Sequence, residues 1–282
     1  MGDELKLGLQ LGYWGTGPVA DHGQLVAAAE AAGFDSVWVQ DHLLFRLADG
    51  KTEGVWESFS MLSALAAITS RVEVGTLVTC TSFRNPALTA KIADTIDEIS
   101  GGRVILGLGA GWHEPEYRAF GYPFDHRVSR FEEALQIIHG LLHDGKVDFE
   151  GRYYQARDCA LHPRGPRKHG PPIMMGTTGE RMLGLTARYA DSWNVYFSRT
   201  GNTPEGMLPL LERVDAACEA GQHVLHLHRV GTRVGDPLLR AAQLRRRDHL
   251  HGLRDLLRRL DAADPPPDVE PHRRAPPAPG RC

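Results

Sequence analysis

The chain has 282 residues, 42% hydrophobic and 24% charged, a balance that suits a globular protein with a large core. Its formal charge of −3 hides a split, −8 over residues 1–220 against +5 over residues 221–282, so the body is a poor candidate for binding nucleic acid. No segment approaches the ~18 apolar residues of a membrane span, and the acidic start lacks an apolar leader core, so a cytoplasmic protein without membrane contact is expected.

Taken in chain order, apolar runs of strand length alternate with segments of helical period. Residues 6–10 read as a strand and residues 21–32 as a helix, opened by a D-x-x-Q pair at Asp21 and Gln24 and closed by Gly33. Residues 36–40 (SVWVQ) are the second strand. A helix over 59–69 and a strand over 72–78 follow. The next helix opens at Asn85-Pro86, with Leu88, Ile92, Ile96 and Ile99 spaced as one apolar stripe, and stops at Gly101-Gly102.

Residues 104–108 form the fourth strand, and residues 129–142 a helix with capping-box spacing at Ser129 and Glu132. Residues 147–170 are too long for a turn and predict a hairpin-bearing insertion. The fifth strand covers 172–175. Thr177 and Glu180 then have T-x-x-E spacing ahead of a helix with Met182, Leu185 and Tyr189 on one stripe. Residues 191–197 are the sixth strand, and Thr203-Pro204 opens a sixth helix carrying Leu208, Leu211 and Cys218.

Six successive βα units predict an α/β fold with a parallel sheet and right-handed crossovers. A dinucleotide-binding sheet wants G-x-G-x-x-G after the first strand, and GYWGTGPVA matches poorly in spacing and in its proline. The long segments after strands two and four lie on the side where a (β/α)₈ barrel keeps its site, so the barrel is favoured. The count stops at six. Residues 221–282 hold 12 Arg, 6 His and 8 Pro but no Lys, Ile, Met, Ser, Asn, Phe, Trp or Tyr, a composition hard to reconcile with two further units. The expected organisation is therefore a barrel over 1–220, incomplete after the sixth unit, with insertions after strands two and four and before strand five. The tail over 221–282 reads as the product of a reading-frame change, as a disordered Arg/Pro-rich extension, or as a short basic helix near 239–260.

Four strand ends gather chemistry on one predicted rim: Asp41-His42, Leu77-Val78-Thr79, Gly109-Ala110-Gly111-Trp112, and Gly176-Thr177-Thr178-Gly179. An acid, an imidazole, an indole and an amide-rich corner suited to an anion make a cofactor site. The glycines of 107–111 read equally as relief of crowding where a strand leaves a barrel. Trp112-His113-Glu114 lacks the H-E-x-x-H spacing of a zinc site, and His223, His226 and His228 fall in the atypical tail, so no metal is expected. Cys80, Cys159, Cys218 and Cys282 stand singly, without the spacing of a zinc knuckle or a disulfide framework.

In their order, LGLQLGYWG, GFDSVWVQDHLL, VEVGTLVTCTSFRNPALTAKIADTIDEISGGRVILGLGAGWHEPEYRAFGYPF, FEGRYY and PPIMMGTTGERMLGLTARYADSWN resemble the luciferase-like monooxygenase superfamily, and within it the coenzyme-F420-dependent oxidoreductases, over residues 5–220. The resemblance implies a luciferase-like (β/α)₈ TIM barrel that binds F420, or alternatively FMN, at its C-terminal mouth. It implies a non-proline cis bond at Leu77-Val78 under the cofactor ring, with Thr79, Gly109 and Trp112 near it. It places His42 near the reactive face, and Gly176, Thr177, Thr178 and Gly179 at the cofactor phosphate. Sugar-phosphate dehydrogenases of this superfamily carry Glu and Trp where this chain has Trp112 and Arg46, which argues against a sugar-phosphate substrate.

The expected function is F420-dependent hydride transfer to or from a small organic substrate, with His42 as acid/base and Asp41 orienting it. The alternative is an FMN-dependent monooxygenase supplied with reduced flavin by a separate reductase and closed by a lid over residues 43–57 and 112–128. A further alternative is a cofactor-binding relic without turnover, its last barrel units lost. Leu43, Leu44, Phe45, Trp56 and Phe120 give the lid an apolar lining, and the resemblance leans towards a homodimer.

Overall fold

A computed structural model describes residues 6–11, 18–196, 199–201 and 203–221. The chain runs β1 (Gly8–Gln10), α1 (Val19–Ala31), β2 (Ser36–Val39), a small hairpin of β3 (Phe45–Arg46) and β4 (Thr52–Glu53), then α2 (Ser58–Ile68) and β5 (Glu73–Thr76). It continues with β6 (Thr79–Cys80), α3 (Pro86–Ser100), β7 (Val104–Gly109), α4 (Glu114–Phe120) and α5 (Arg127–Asp144). A second hairpin, β8 (Lys146–Glu150) and β9 (Gln155–Ala160), leads to β10 (Ile173–Gly176), α6 (Glu180–Tyr189), β11 (Ser192–Asn194) and α7 (Pro204–Gly221).

The main sheet has the order β1-β2-β5-β7-β10-β11, all neighbours parallel, which is the sequential order of a (β/α)₈ barrel through its sixth unit. Units seven and eight have no counterpart among the described residues. The tail, with its three clustered histidines, lies outside them beyond Gly221. The β3–β4 hairpin follows β2, α4 follows β7, and the β8–β9 hairpin precedes β10.

Alternation along the strands divides the core in two. Val37, Val39, Val74, Val104, Leu106, Leu108, Ile173 and Met175 pack outward among Val26, Leu62, Leu65, Ile96, Leu135 and Ile138 of the helices. The intervening Trp38, Ile105 and Met174 fill the barrel interior beneath Leu77 and Val78. The indole needs room, and two glycines provide it. A Cβ at Gly75 would stand 2.6 Å from Trp38 Cζ3, and one at Gly8 2.8 Å from its Nε1. The indole N–H donates to Ser36 Oγ at 2.8 Å.

At the lower rim two side chains read main chain. The Arg103 guanidinium donates to the carbonyls of Ala66, Thr69, Val72 and Ser100 at 2.6–2.9 Å. Glu30 accepts from the amides of Ser70, Arg71 and Val72 at 2.6–3.0 Å.

Several local expectations give way to tertiary partners. Helix α1 starts at Val19 with Pro18 as its cap and no side-chain bond, which leaves Asp21 inside the first turn, where its charge suits the positive helix end. Ser129 and Glu132 do not cap α5, whose N-cap is His126; both instead receive Arg181 of α6, Ser129 Oγ from Nη1 at 3.1 Å and Glu132 from Nη2. Thr177 does not cap α6 either, since Gly179 holds that position without a side-chain bond. The apolar stripe of α3 is only partly its core face: Ile96 is buried and Ile92 packs against the core. Leu88 and Ile99 are 52% and 46% exposed, whereas Asp94 and Asp97 are buried. The insertion explains the inversion: Gly165 N donates to Asp94 at 2.9 Å, and Arg167 Nε donates to Asp97 at 2.8 Å. A buried carboxylate that finds a guanidinium and amides tolerates the core.

Candidate active site at the barrel mouth

Three glycines shape the floor of the mouth around one valine. A Cβ at Gly109 would stand 2.6 Å from Val78 Cγ2, one at Gly176 3.0 Å from its Cγ1, and one at Gly107 3.1 Å from the same methyl while also striking the Thr76 carbonyl. The glycine run therefore relieves crowding and, by doing so, presents Val78 as a flat apolar platform. The Leu77–Val78 peptide is cis, as the resemblance implies. Thr79 lies beneath this floor, fully buried, its hydroxyl donating to Thr76 Oγ1 at 2.9 Å.

On the rim beside the floor stands His42. Its Nδ1 lies 3.0 Å from Glu116 Oε1, and its ring meets Phe45 at 4.3 Å and Trp112 edge-on at 5.7 Å. Glu116 is 1% exposed and also accepts from the Leu43 amide at 2.8 Å, so α4 pins the start of the loop after β2. Arg46 N donates to His113 Nε2 at 3.3 Å, joining the two segments expected to form the lid. An imidazole oriented by a buried carboxylate can take up or deliver a proton at the mouth. Sequence reasoning missed Glu116. The only available signal was an acid in the first turn of a helix that follows strand four.

Asp41 does not orient His42. Its carboxylate is buried and faces the other way, accepting from Arg84 Nη1 at 2.8 Å and Nη2 at 2.9 Å, from Ser58 Oγ at 2.8 Å and from Cys80 N at 2.9 Å. Consecutive residues of an extended chain point to opposite sides, so one of the Asp-His pair enters the mouth and the other the protein. Burial works against the Arg84 charge, but the bonds to Asp41 and then to Glu57 outweigh it and raise its pKa.

Behind this wall Cys80 Sγ lies 2.9 Å from the Tyr117 hydroxyl, which donates to Ala110 O at 3.0 Å. Burial pushes the Cys80 thiol up to about 12, and burial together with Cys80 raises Tyr117, so both are neutral near pH 7 and neither acts as a nucleophile. Gly111, at φ 72°, leaves the room Tyr117 occupies. Trp112, half exposed, stands over the rim.

The corner 176–179 is held open by its neighbours. Thr177 N donates to Asn194 O at 3.3 Å, its carbonyl accepts from Trp193 Nε1 at 2.7 Å, and Thr178 O accepts from Arg213 Nη2 at 3.0 Å. Among the described residues the Thr178 and Gly179 amides have no partner, and they stand at the N-terminus of α6, where an anion is favoured. The structure thus brings His42 and Trp112 together, and Val78 with Gly109 and Gly176. It sets Asp41 and Thr79 behind the surface. Among the described residues no group of His, Cys, Asp and Glu could hold a metal ion, and no helix is long and apolar enough to cross a membrane.

Residues 8–234 match the family model described as luciferase-like monooxygenase. A pyrimidine monooxygenase, RutA, of Stutzerimonas stutzeri is 37% identical over an alignment of 211 residues that covers 71% of this chain and 56% of the relative. RutA of Cronobacter sakazakii is 36% identical over 211 residues, 71% of this chain and 60% of the relative. The chain thus spans little more than half the length of these relatives. Monooxygenase RslO1 from Streptomyces bottropensis shares the fold with a TM-score of 0.69 at 22% identity, covering 92% of this chain and 79% of that one. The coenzyme-F420-dependent tetrahydromethanopterin reductase of Methanopyrus kandleri does so with a TM-score of 0.65 at 23% identity, covering 80% and 65%.

Proposed function

The chain belongs to the luciferase-like monooxygenase family, and from that premise we propose that it is a flavin-dependent monooxygenase acting on a small planar organic substrate, a pyrimidine or a ring of similar size. The observation that carries the reading is the His42–Glu116 pair at 3.0 Å, a proton-handling group on the same rim as the apolar floor at Val78. This reverses the order of the two expectations. The relatives that are more than a third identical over the aligned residues bear monooxygenase names, whereas the F420-dependent neighbours are under a quarter identical and speak for the fold alone.

The residues present fit a flavin. Val78 and the peptide before it would carry the ring, and the Thr178 and Gly179 amides would hold its phosphate. Reduced flavin, when bound, supplies the activation of molecular oxygen. This chain's own residues bind, orient and shield. Glu116 fixes the plane of the His42 ring, so that His42 can take a proton from the substrate or return one to it. Phe45, tilted against His42, and Trp112, edge-on to it, would keep water from the reacting face. A separate flavin reductase is the proposed partner, and a homodimer the proposed assembly.

The test is to titrate the purified protein with FMN and with F420 by fluorescence, and then to supply reduced FMN, uracil and ¹⁸O₂ and read the product by mass spectrometry. Binding of FMN and one labelled oxygen in the product are expected. Preference for F420 with hydride transfer and no label would replace this reading by the dehydrogenase. Absence of any cofactor-dependent rise in Tm would favour the relic.

A further inference from the structure

Two polar side chains inside the barrel have a buried oxygen without a partner, and neither belongs to the machinery described above. Gln40 is 5% exposed and Ser192 1% exposed, and Gln40 Oε1 and Ser192 Oγ make no hydrogen bond. Both face inward. Ser36 and Trp38 of β2 point into the barrel, where Trp38 packs with Ile105 and Met174, so Gln40, two residues on, projects to the same side one step nearer the mouth. Ser192 is the register partner of Met174, itself the partner of Gly107, and parallel partners share a face. Between them along the row stand Met174, Gly107 and Leu77, and the space over Gly107 is taken by the Thr76 carbonyl and a Val78 methyl, so the two polar groups are separated by close-packed apolar interior.

An amide oxygen buried without a donor is a standing cost to the fold, and native proteins seldom carry one without a reason. Its neighbours here, Trp38 below and Leu77 beside it, are apolar and cannot relieve it. The flat floor at Val78 is adjacent, and the mouth above is where a ring would lie.

We propose that the Gln40 carboxamide is a specificity-determining group that reads the lactam or imide edge, an N–H beside a C=O, of a heterocycle lowered into the mouth. A carboxamide offers an acceptor and a donor side by side, which matches such an edge with two parallel hydrogen bonds. The inference rests on the monooxygenase reading and extends it, for both a flavin ring and a pyrimidine carry this edge.

The experiment compares wild type with Gln40→Leu, which keeps the volume and removes the polar end, using FMN, N3-methylated FMN and uracil as probes. If Gln40 reads the cofactor, wild type prefers FMN to its N3-methylated form by about tenfold or more, and Gln40→Leu binds both equally. If it reads the substrate, FMN binding is unchanged and the uracil concentration for half-saturation rises about tenfold or more. Either result supports the proposal. In both cases the Tm of the apoprotein stays level or rises in Gln40→Leu, since the orphaned oxygen is gone, whereas a purely structural glutamine would lower it. Binding of FMN and of uracil within twofold of wild type in Gln40→Leu overturns the inference alone. A wild type that binds neither probe overturns the monooxygenase reading and this inference with it.

Discussion

His42 Nδ1 and Glu116 Oε1 stand 3.0 Å apart across 74 positions of sequence, and the carboxylate, at 1% exposure, is far more deeply buried than the imidazole at 12%. The acid that orients the histidine therefore comes from α4, within the segment expected to form the lid, so the proposed proton handling and closure would be mechanically joined. Replacing His42 with Ala should lower kcat by about 10²–10⁴-fold while flavin affinity stays within a few-fold. Glu116→Gln can still accept from Leu43 N and should lower kcat less, by about 10-fold to 100-fold. Steady-state kinetics beside flavin titration decides it. Equal losses of affinity and turnover would remove His42 from the proton-handling role.

Asp41 carries a different signature. Its partner Arg84 donates two bonds at 2.8 and 2.9 Å from a largely enclosed position, so Arg84→Met strands a buried carboxylate and should cost about 3–5 kcal/mol in urea unfolding. Arg84→Lys should recover only part, because an ammonium cannot reproduce the fork. A variant Asp41→Asn with unchanged stability but no turnover would instead argue for a direct catalytic part.

The valine platform makes a prediction about coupling. Gly109→Ala pushes a methyl against Val78 Cγ2, a side chain, and should destabilise by about 1–3 kcal/mol. Val78→Ala in the same chain should restore most of that, a coupling within the ~0.5–3 kcal/mol seen for residues in contact. Gly107→Ala strikes the Thr76 backbone and should not be rescued. Denaturant curves on the single and double variants test both statements, and equal rescue at 107 and 109 would contradict the geometry.

The buried thiol sets an alkaline limit. Because Cys80 is raised from its ordinary 9.0 to about 12, the folded state holds the proton more tightly than the unfolded chain. Its contribution is complete below pH 9.0 and is lost as pH rises to about 12, at up to about 1.4 kcal/mol per pH unit, with Tyr117 adding to the same slope. Cys80→Ser, whose hydroxyl does not titrate there, should flatten the loss of stability between pH 9 and pH 11. An unchanged slope would mean that other groups carry the alkaline transition.

The order of units was readable because each strand was a short apolar run between turn residues and each helix had its own period, as at 36–40 and at Asn85-Pro86. Caps were less readable. Thr177, Ser129 and Asp21 had the right spacing, but a carboxylate or hydroxyl within reach of a guanidinium from another helix, as with Glu132 and Arg181, takes the charged partner. The site was half legible. His42 and the glycines of 107–111 sit beside strand ends and announce themselves, whereas Glu116 and Arg84 act over 74 and 43 positions of separation and leave no local spacing to find.

At the opposite end of the barrel, Arg103 and Glu30 grasp peptide groups almost exclusively, carbonyls by the one and amides by the other. Such a grip is blind to the identity of the residues it holds. The connection between α2 and β5 can thus accept a wide alphabet at Ser70 as long as its backbone path is kept, while the two grasping side chains, and Arg71, which donates to the carbonyls of Glu30 and Phe34 at 2.8 and 2.7 Å, cannot be exchanged. A laboratory library built on that turn should return mostly folded clones, making it the natural place to graft a tag, a tether or a reporter without disturbing the chemistry at the other end.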